Sequence, residues 1–139
     1  MTAATGGEPA RPRIERVEAD HGGLRGQVRV TLSLGGREEV GAAEGPGPPS
    51  ALVRLTAQAT LQAVLKLQSG LPDVEVDATG VTTIGDHQVA AVAIKVAARG
   101  REQVLVGSAR VGEAGPYDAV ARAALDATNR RLPALLEQR

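Results

Sequence analysis

Gln103–Asn129 reads Q-V-L-V-G-S-A-R-V-G-E-A-G-P-Y-D-A-V-A-R-A-A-L-D-A-T-N and runs on into Arg130-Arg131-Leu132. The alternating apolar residues at its start give a strand. Gly112 and Gly115 give a turn, and the alanine-rich run that follows has helical spacing. Glu39 to Leu67 follows the same plan: strand, glycine-rich turn, helix.

The likeness is a repeat. Gly36-Arg37-Glu38 matches Gly100-Arg101-Glu102 at an offset of 64 (100 − 36). The same offset sets Val28, Val30 and Leu32 on Val92, Ile94 and Val96, and Val40 on Val104. It also sets Ala59, Leu61 and Ala63 on Ala123, Leu125 and Ala127. Turn, strand period and helix period agree without a gap, a coincidence that chance seldom produces. One βββα unit cannot bury both its sheet face and its helix stripe, whereas two units can bury them together. The expected fold is α+β, with two pseudo-twofold-related βββα units whose antiparallel sheets pack against two helices. Such units leave an edge or a helix face available, so a homodimer is the expected assembly.

In chain order, residues 1–12 are small and polar with two prolines, and read as a disordered tail. Residues 13–139 are one domain, with repeat one over 13–70, repeat two over 71–132 and a short C-terminal tail over 133–139. Arg13–Asp20 is a first strand. From Leu24 to Leu34 the alternation is clean. Leu24, Val28, Val30, Leu32 and Leu34 point one way, and Arg25, Gln27, Arg29, Thr31 and Ser33 the other, as in a strand with one wet face. Gly35-Gly36 marks a tight hairpin into a third strand, Arg37–Ala43. Glu44–Ser50 is a rigid loop, Ser50 is the expected N-cap, and a helix runs from Ala51 to Gln68 until Gly70 and Pro72 end it. The second half repeats the order with strands Val74–Ile84, Val89–Ala98 and Glu102–Val111. Val89–Ala98 is apolar or small on both faces apart from Lys95, so it belongs deep in its sheet. Tyr117–Leu132 is the closing helix, and Pro133 is expected to stop or kink it.

Composition narrows the functional classes. The 139 residues contain no Phe, Trp or Cys and a single Tyr and Met, so the core is built from Val, Leu, Ile and Ala. Sixteen basic and sixteen acidic residues cancel, which leaves no electrostatic footprint for nucleic acid or an anionic membrane. Base stacking wants aromatics, and Tyr117 stands alone. The absence of cysteine removes thiolate nucleophiles and cysteine metal sites. There is no long apolar run at the N-terminus and no stretch of about 18 apolar residues, so the expected location is cytoplasmic.

Catalytic patterns are missing. His21 and His87 sit in or beside turns without a ligand-spaced partner. Ser50 and Ser108 lie outside any G-x-S-x-G elbow. Glu38, Glu39, Asp77 and Asp86 fall on strands or turns without the apolar isolation that tunes an acid–base pair. Arg130 and Arg131 near a helix C-terminus are explained by the helix dipole. The expectation is a non-enzyme with no cofactor and no metal. Gly45-Pro46-Gly47-Pro48-Pro49-Ser50-Ala51 precedes a helix N-terminus, where free N–H groups can hold a carboxylate or phosphate. It lacks the Gly-Lys-Ser/Thr of a phosphate loop, and its prolines remove donors. On these residues alone, a turn that simply docks the helix on the sheet is the favoured account.

These residues resemble a family. The run A-V-A-R-A-A-L-D-A-T-N-R-R-L is similar to the closing helix of the C-terminal regulatory domain of 2-isopropylmalate synthase and citramalate synthase, which ends in Asn-Arg-x-Leu. Ala119, Ala121, Arg122, Ala123, Ala127, Asn129 and Arg130 carry the likeness. Gly45-x-Gly47-Pro48-x-x-Ala51 resembles the G-x-G-P-x-x-A turn before that family's first helix. The likeness covers about Ile14 to Leu132 and implies the same paired βββα fold. It further implies a dimer that binds leucine or isoleucine near the glycine-rich turns and regulates a separate barrel. With no barrel in these residues, the chain is expected to be a stand-alone regulatory module, its partner a small-molecule effector or another protein. By resemblance, Gly45, Gly47, Pro48 and Ala51 form one side of the effector site, and Ala109 to Tyr117, including Gly112 and Glu113, form the other. The family's second turn carries G-x-G-x-S-x-D, whereas Gly107–Gly115 has no Asp at that place and leaves Glu113 or Asp118 as the nearby acid. The alternative expectation is a dimerisation or scaffold protein that keeps the fold without sensing a ligand.

Overall fold

The computed structural model describes residues 11–20, 23–68 and 73–137, and the side chains of the last helix as far as Asn129. The expectations for residues 1–10, His21, Gly70, Pro72 and the side chains of Arg130 and Arg131 lie outside the described residues. The elements are β1 (Arg13–Asp20), β2 (Arg25–Leu34), β3 (Arg37–Pro46), α1 (Pro49–Leu67), β4 (Asp73–Ile84), β5 (His87–Ala98), β6 (Arg101–Arg110) and α2 (Gly115–Glu137). β1-β2-β3 form one antiparallel sheet and β4-β5-β6 a second. The chain is α+β, two βββα units with their helices on the sheets.

Each sheet buries one face. Val28, Val30 and Leu32 point inward from β2, and Ala90, Val92, Ile94 and Val96 from β5. α1 covers the first set and α2 the second, but each helix also lends a leucine to the other unit. Leu61 of α1 lies in the core around β5, and Leu125 of α2 in the core around β2. These two residues are 64 apart (125 − 61), so the exchange is reciprocal, as a pseudo-twofold requires. Thr56 and Thr60 are fully buried, and their hydroxyls donate to the carbonyls of Leu52 and Thr56 at 2.7 Å, so α1 buries no orphan hydroxyl there.

The helices lie on the sheets backbone to backbone. Gly41 of β3 sits under α1 so closely that a Cβ there would collide with the carbonyl oxygen of Ala59 and lie 2.7 Å from the nitrogen of Ala63. Gly107 of β6 sits under α2 in the same way, against the carbonyl oxygen of Ala123 and 2.9 Å from the Cα of Ala127. The residue after each glycine gives its N–H to the helix: Ala42 donates to Gln62 Oε1 at 2.8 Å, and Ser108 to Asp126 Oδ2 at 3.0 Å.

This docking refines the gapless repeat. The helix residues repeat at 64 (123 − 59), but the docking glycines repeat at 66 (107 − 41). The first two strands repeat at 62. Both β1 and β4 carry a bulge, between Ile14 and Arg16 and between Val76 and Ala78, and Ile14↔Leu32 corresponds to Val76↔Ile94. The acid in each bulge is held from the next strand, Glu15 by the Ser33 hydroxyl at 2.5 Å and Asp77 by Lys95 at 3.6 Å. The second hairpin is therefore two residues longer in each arm. A connection to the helix that is two residues shorter restores the net offset of 64. A shift of two leaves every side chain on the same face.

Several boundaries differ from expectation. β3 runs to Pro46, because Glu44, Gly45 and Pro46 keep pairing with Gln27, Gly26 and Arg25. The loop shrinks to Gly47 and Pro48, and Pro48 rather than Ser50 is the N-cap, with no side-chain cap bond. Leu24 is 94% exposed instead of joining the apolar face; its carbonyl accepts from Gly47 N–H at 2.9 Å, which ties the loop to the start of β2. α2 starts at Gly115 and runs through Pro133 to Glu137. A proline costs a helix one N–H bond and a clash at the residue four before it, and flanking turns can continue past that defect.

Arg99 adopts φ 55° in the turn to Gly100, the left-handed region that the corresponding Gly35 occupies at φ 58°. Replacing Arg99 by Asn, which tolerates that region, is expected to raise the unfolding free energy by roughly 0.5–1 kcal/mol in urea denaturation. Gly41→Ala and Gly107→Ala are each expected to lower it by at least ~2 kcal/mol, since neither colliding group is a movable side chain. A loss under ~0.5 kcal/mol at either glycine would contradict the backbone approach.

Candidate functional site

The two helix N-termini open onto one cavity of about 380 Å³. α1 supplies Pro49, Ser50 and Val53, and α2 supplies Pro116 and Tyr117. The β4–β5 hairpin closes it with Thr79, Gly80, Val81 and Gln88. The lining is more apolar than polar, with two prolines and two valines beside Ser50, Thr79, Tyr117 and Gln88. Among the described residues no carboxylate, ammonium, guanidinium or imidazole side chain lines it.

Local sequence explains why both helices start there. Pro48 and Pro49 fix φ and carry no N–H, so they suit a helix start, and the first backbone N–H of α1 belongs to Ser50. Ala51 and Leu52 donate to the Pro48 carbonyl at 2.9 and 3.1 Å. On the other side, Gly115 takes φ 93° and donates to the Gly112 carbonyl at 3.0 Å, which turns the chain into Pro116. The first turn of α1 has no acidic residue to neutralise its dipole. Both helices start at the cavity, but Asp118 sits in the first turn of α2, so the uncompensated positive end there is that of α1, a setting that favours a carboxylate beside Ser50.

The glycine-rich turns themselves are not in the cavity. Gly45 is buried in β3 opposite Gly26, with Leu55 3.4 Å from where its Cβ would be. Gly47 packs its backbone on Gly23, whose carbonyl oxygen lies 2.5 Å from that hypothetical Cβ. Both glycines dock the loop and the helix. Pro48 is the α1 cap, and Ala51 is half-buried one residue beyond the lining. Ala109 pairs with Ala90 in the second sheet and packs on that unit's core. Gly112 and Glu113 are exposed in the loop before α2. Of the expected stretch Ala109 to Tyr117, only Pro116 and Tyr117 line the cavity, and none of Gly45, Gly47, Pro48 and Ala51 does. Sequence reading missed Thr79, Gly80, Val81 and Gln88. The only local sign of them was Gly80, a glycine inside an otherwise continuous strand pattern.

Asp118 turns away from this cavity. It accepts from Arg122 Nε at 2.7 Å and lines, with Tyr117, a cleft of about 690 Å³ beside β1. The cleft is where the pseudo-twofold breaks. In the other unit Arg54 donates to the carbonyls of Val76 at 2.9 Å and Asp77 at 3.3 Å, clamping α1 on the β4 bulge. The residue 64 later (118 − 54) is Asp118, which as a carboxylate has no proton to donate to the matching β1 carbonyls. It pairs along its own helix instead and leaves the space open.

His87 is exposed at the start of β5, and no group of three or more His, Cys, Asp or Glu among the described residues is placed to hold a metal ion. No helix among the described residues is long and apolar enough to cross a membrane. Compared with protein-family models and with curated proteins, the chain matches none.

Ser50→Glu would place an acid in the first turn of α1 at the cavity mouth. It is expected to raise stability by about 0.3–1 kcal/mol through the helix dipole, read by urea denaturation. A loss of similar size would mean that the first turn of α1 is not the exposed positive end described here.

Proposed function

We propose that the chain is a non-catalytic regulatory module that binds a small metabolite in the cavity between the two helix N-termini. The observation that carries this reading is the meeting of both helix starts at one largely apolar cavity, where the first turn of α1 has no acid of its own and the described lining has no charged side chain. A carboxylate suits the start of α1, a short branched chain suits Val53, Val81 and the prolines, and hydroxyls surround them both. Branched-chain amino acids and their related acids fit that description. An ammonium group would have to rest on Gln88, Thr79 or Tyr117, because Glu113 and Asp118 lie elsewhere. The family likeness of the closing helix and the first glycine turn points the same way. The absence of a carboxylate, imidazole or thiol from the lining supports the non-catalytic part of the reading.

The test is thermal unfolding with leucine, isoleucine, valine and the corresponding 2-oxo acids at millimolar concentration. A ligand at about 100 times its Kd stabilises the native state by about 2.7 kcal/mol, several degrees in Tm for a domain of this size. The wild type is expected to respond and Ser50→Glu to lose the response, its new carboxylate occupying the place of the ligand's. No shift with any of these compounds would remove the metabolite reading.

A second reading is favoured by Gly45 and Gly47, both accounted for by packing alone. In it the chain keeps the fold to form a homodimer or docking scaffold and senses nothing. It predicts a dimer in solution and no thermal response to any of the acids.

A further inference from the structure

The outer faces of the two sheets differ. On the first sheet, β1 and β2 put Arg16, Glu18, Gln27 and Arg29 outward, and β3 adds Glu38 and Glu44. On the second, the outward positions of β5 are Val89, Ala91, Ala93, Lys95 and Ala97. β6 places Val104 and Val106 beside them, 53% and 58% exposed. Lys95 pairs with Asp77, and β4 sets the exposed carboxylates of Asp73 and Glu75 on the same side, at the end of the face marked by Ala97 and Glu102, so the aliphatic part is the middle of β5 and β6. No described element of the chain covers this face.

We propose that this face of β4-β5-β6 is where a second copy of the chain docks, sheet on sheet, about a twofold axis passing at Val106. The surface rests on the dimer reading and not on the metabolite reading. Three observations select a second copy. The first is charge. On β6, Glu102 lies four residues before Val106 and Arg110 four residues after it, both exposed and facing the same way. An axis in the plane of the sheet and across the strands sets Glu102 of each copy over Arg110 of the other. The second is area. Strands of 12 residues span roughly 40 Å and three of them roughly 14 Å, so two faces together remove about 1,100 Å² of surface, the lower end for a specific interface. The third is that three of the four sheet edges are occupied. Gln62 and Lys66 take the Ala42 N–H and the Val40 carbonyl on β3, Asp126 takes the Ser108 N–H on β6, and Arg54 takes two carbonyls on β4. Both edges of this sheet, β4 and β6, are blunted in this way, whereas β1 of the other sheet is open beside its cleft, so the surface left free on β4-β5-β6 is the face.

Sedimentation equilibrium on the full chain tests this. The wild type is expected to be a dimer. Val106→Glu, which brings two carboxylates together at the axis, is expected to raise the dimer Kd at least ~100-fold. Arg110→Glu should raise it about 10-fold, and Glu102→Arg combined with Arg110→Glu should restore it. All three positions are exposed, and circular dichroism checks that each variant folds. A monomeric wild type would overturn the dimer reading and this surface with it. A dimer that survives Val106→Glu would overturn the surface and leave the dimer reading standing. A charge reversal that fails to rescue would overturn the twofold placement.

Discussion

Everything in this fold depends on how close the helices come to the sheets. Gly41 and Gly107 let α1 and α2 touch strand backbone, with Ala59, Ala63, Ala123 and Ala127 forming the other side of the contact. That approach is the use to which an interior without Phe or Trp can be put. Large side chains would hold helix and sheet apart, whereas glycine against alanine lets main-chain groups and side-chain amides bridge them directly. Ala42 N–H to Gln62 and Ser108 N–H to Asp126 are such bridges, and they are possible only at this distance. The same contact also places Leu61 and Leu125 where each reaches the neighbouring unit's core. Loss of the approach would therefore undo the pairing of the units as well as the packing inside each.

Much of this was legible in the sequence, and the part that was not has a physical reason. The strands of Val28–Leu32 and Val92–Val96, the Gly35-Gly36 and Arg99-Gly100 turns and both helices follow from periodicity and turn chemistry. The shift of the strands to offsets of 62 and 66 does not. A strand slipped by two residues presents the same alternation, so valine on valine looks equally good in either register. Only a residue with a unique steric role breaks the tie, and here it is the glycine under the helix. The extension of β3 into Gly45 and Pro46 escaped for a related reason. Gly and Pro signal a loop, but a partner strand with Gly26 opposite can hold such residues in the ladder.

The candidate site was legible only in outline. The two helix starts come together, since Pro49, Ser50, Pro116 and Tyr117 meet at one cavity. The glycines that drew attention to them serve packing instead. Gly45 makes room for Leu55, and Gly47 for the Gly23 backbone. Residues of the β4–β5 hairpin escaped because they approach from the far side of the sequence and carry no motif. Asp118 shows the limit from another direction. Its distance from the cavity follows from replacing the donor found at Arg54 by an acceptor, which redirects it to Arg122 and opens the cleft beside β1. A repeat can conserve its frame while one substitution decides which of its two equivalent spaces closes.

The two units are most alike where helix docking constrains them and least alike on their outer faces. The buried positions Val28, Val30 and Leu32 of β2 and Ala90, Val92, Ile94 and Val96 of β5 are aliphatic because each strand lies beneath a helix. The outer positions meet no such demand, and there one sheet carries Arg16, Glu18 and Arg29 while the other carries Ala91, Ala93, Val104 and Val106. Water can cover the first at no cost. For the second, exposed valines beside alanines lose apolar contact that a partner surface would supply, at roughly 25 cal/mol for each Å² removed from water. The side-chain plugs on the edges of β3 and β6 raise the same point from the opposite side. With β4 and β6 plugged as edges, the proposed docking of this sheet would have to be face to face over the aliphatic middle of β5 and β6, and the opposite charges of Glu102 and Arg110 on either side of Val106 would give it a direction.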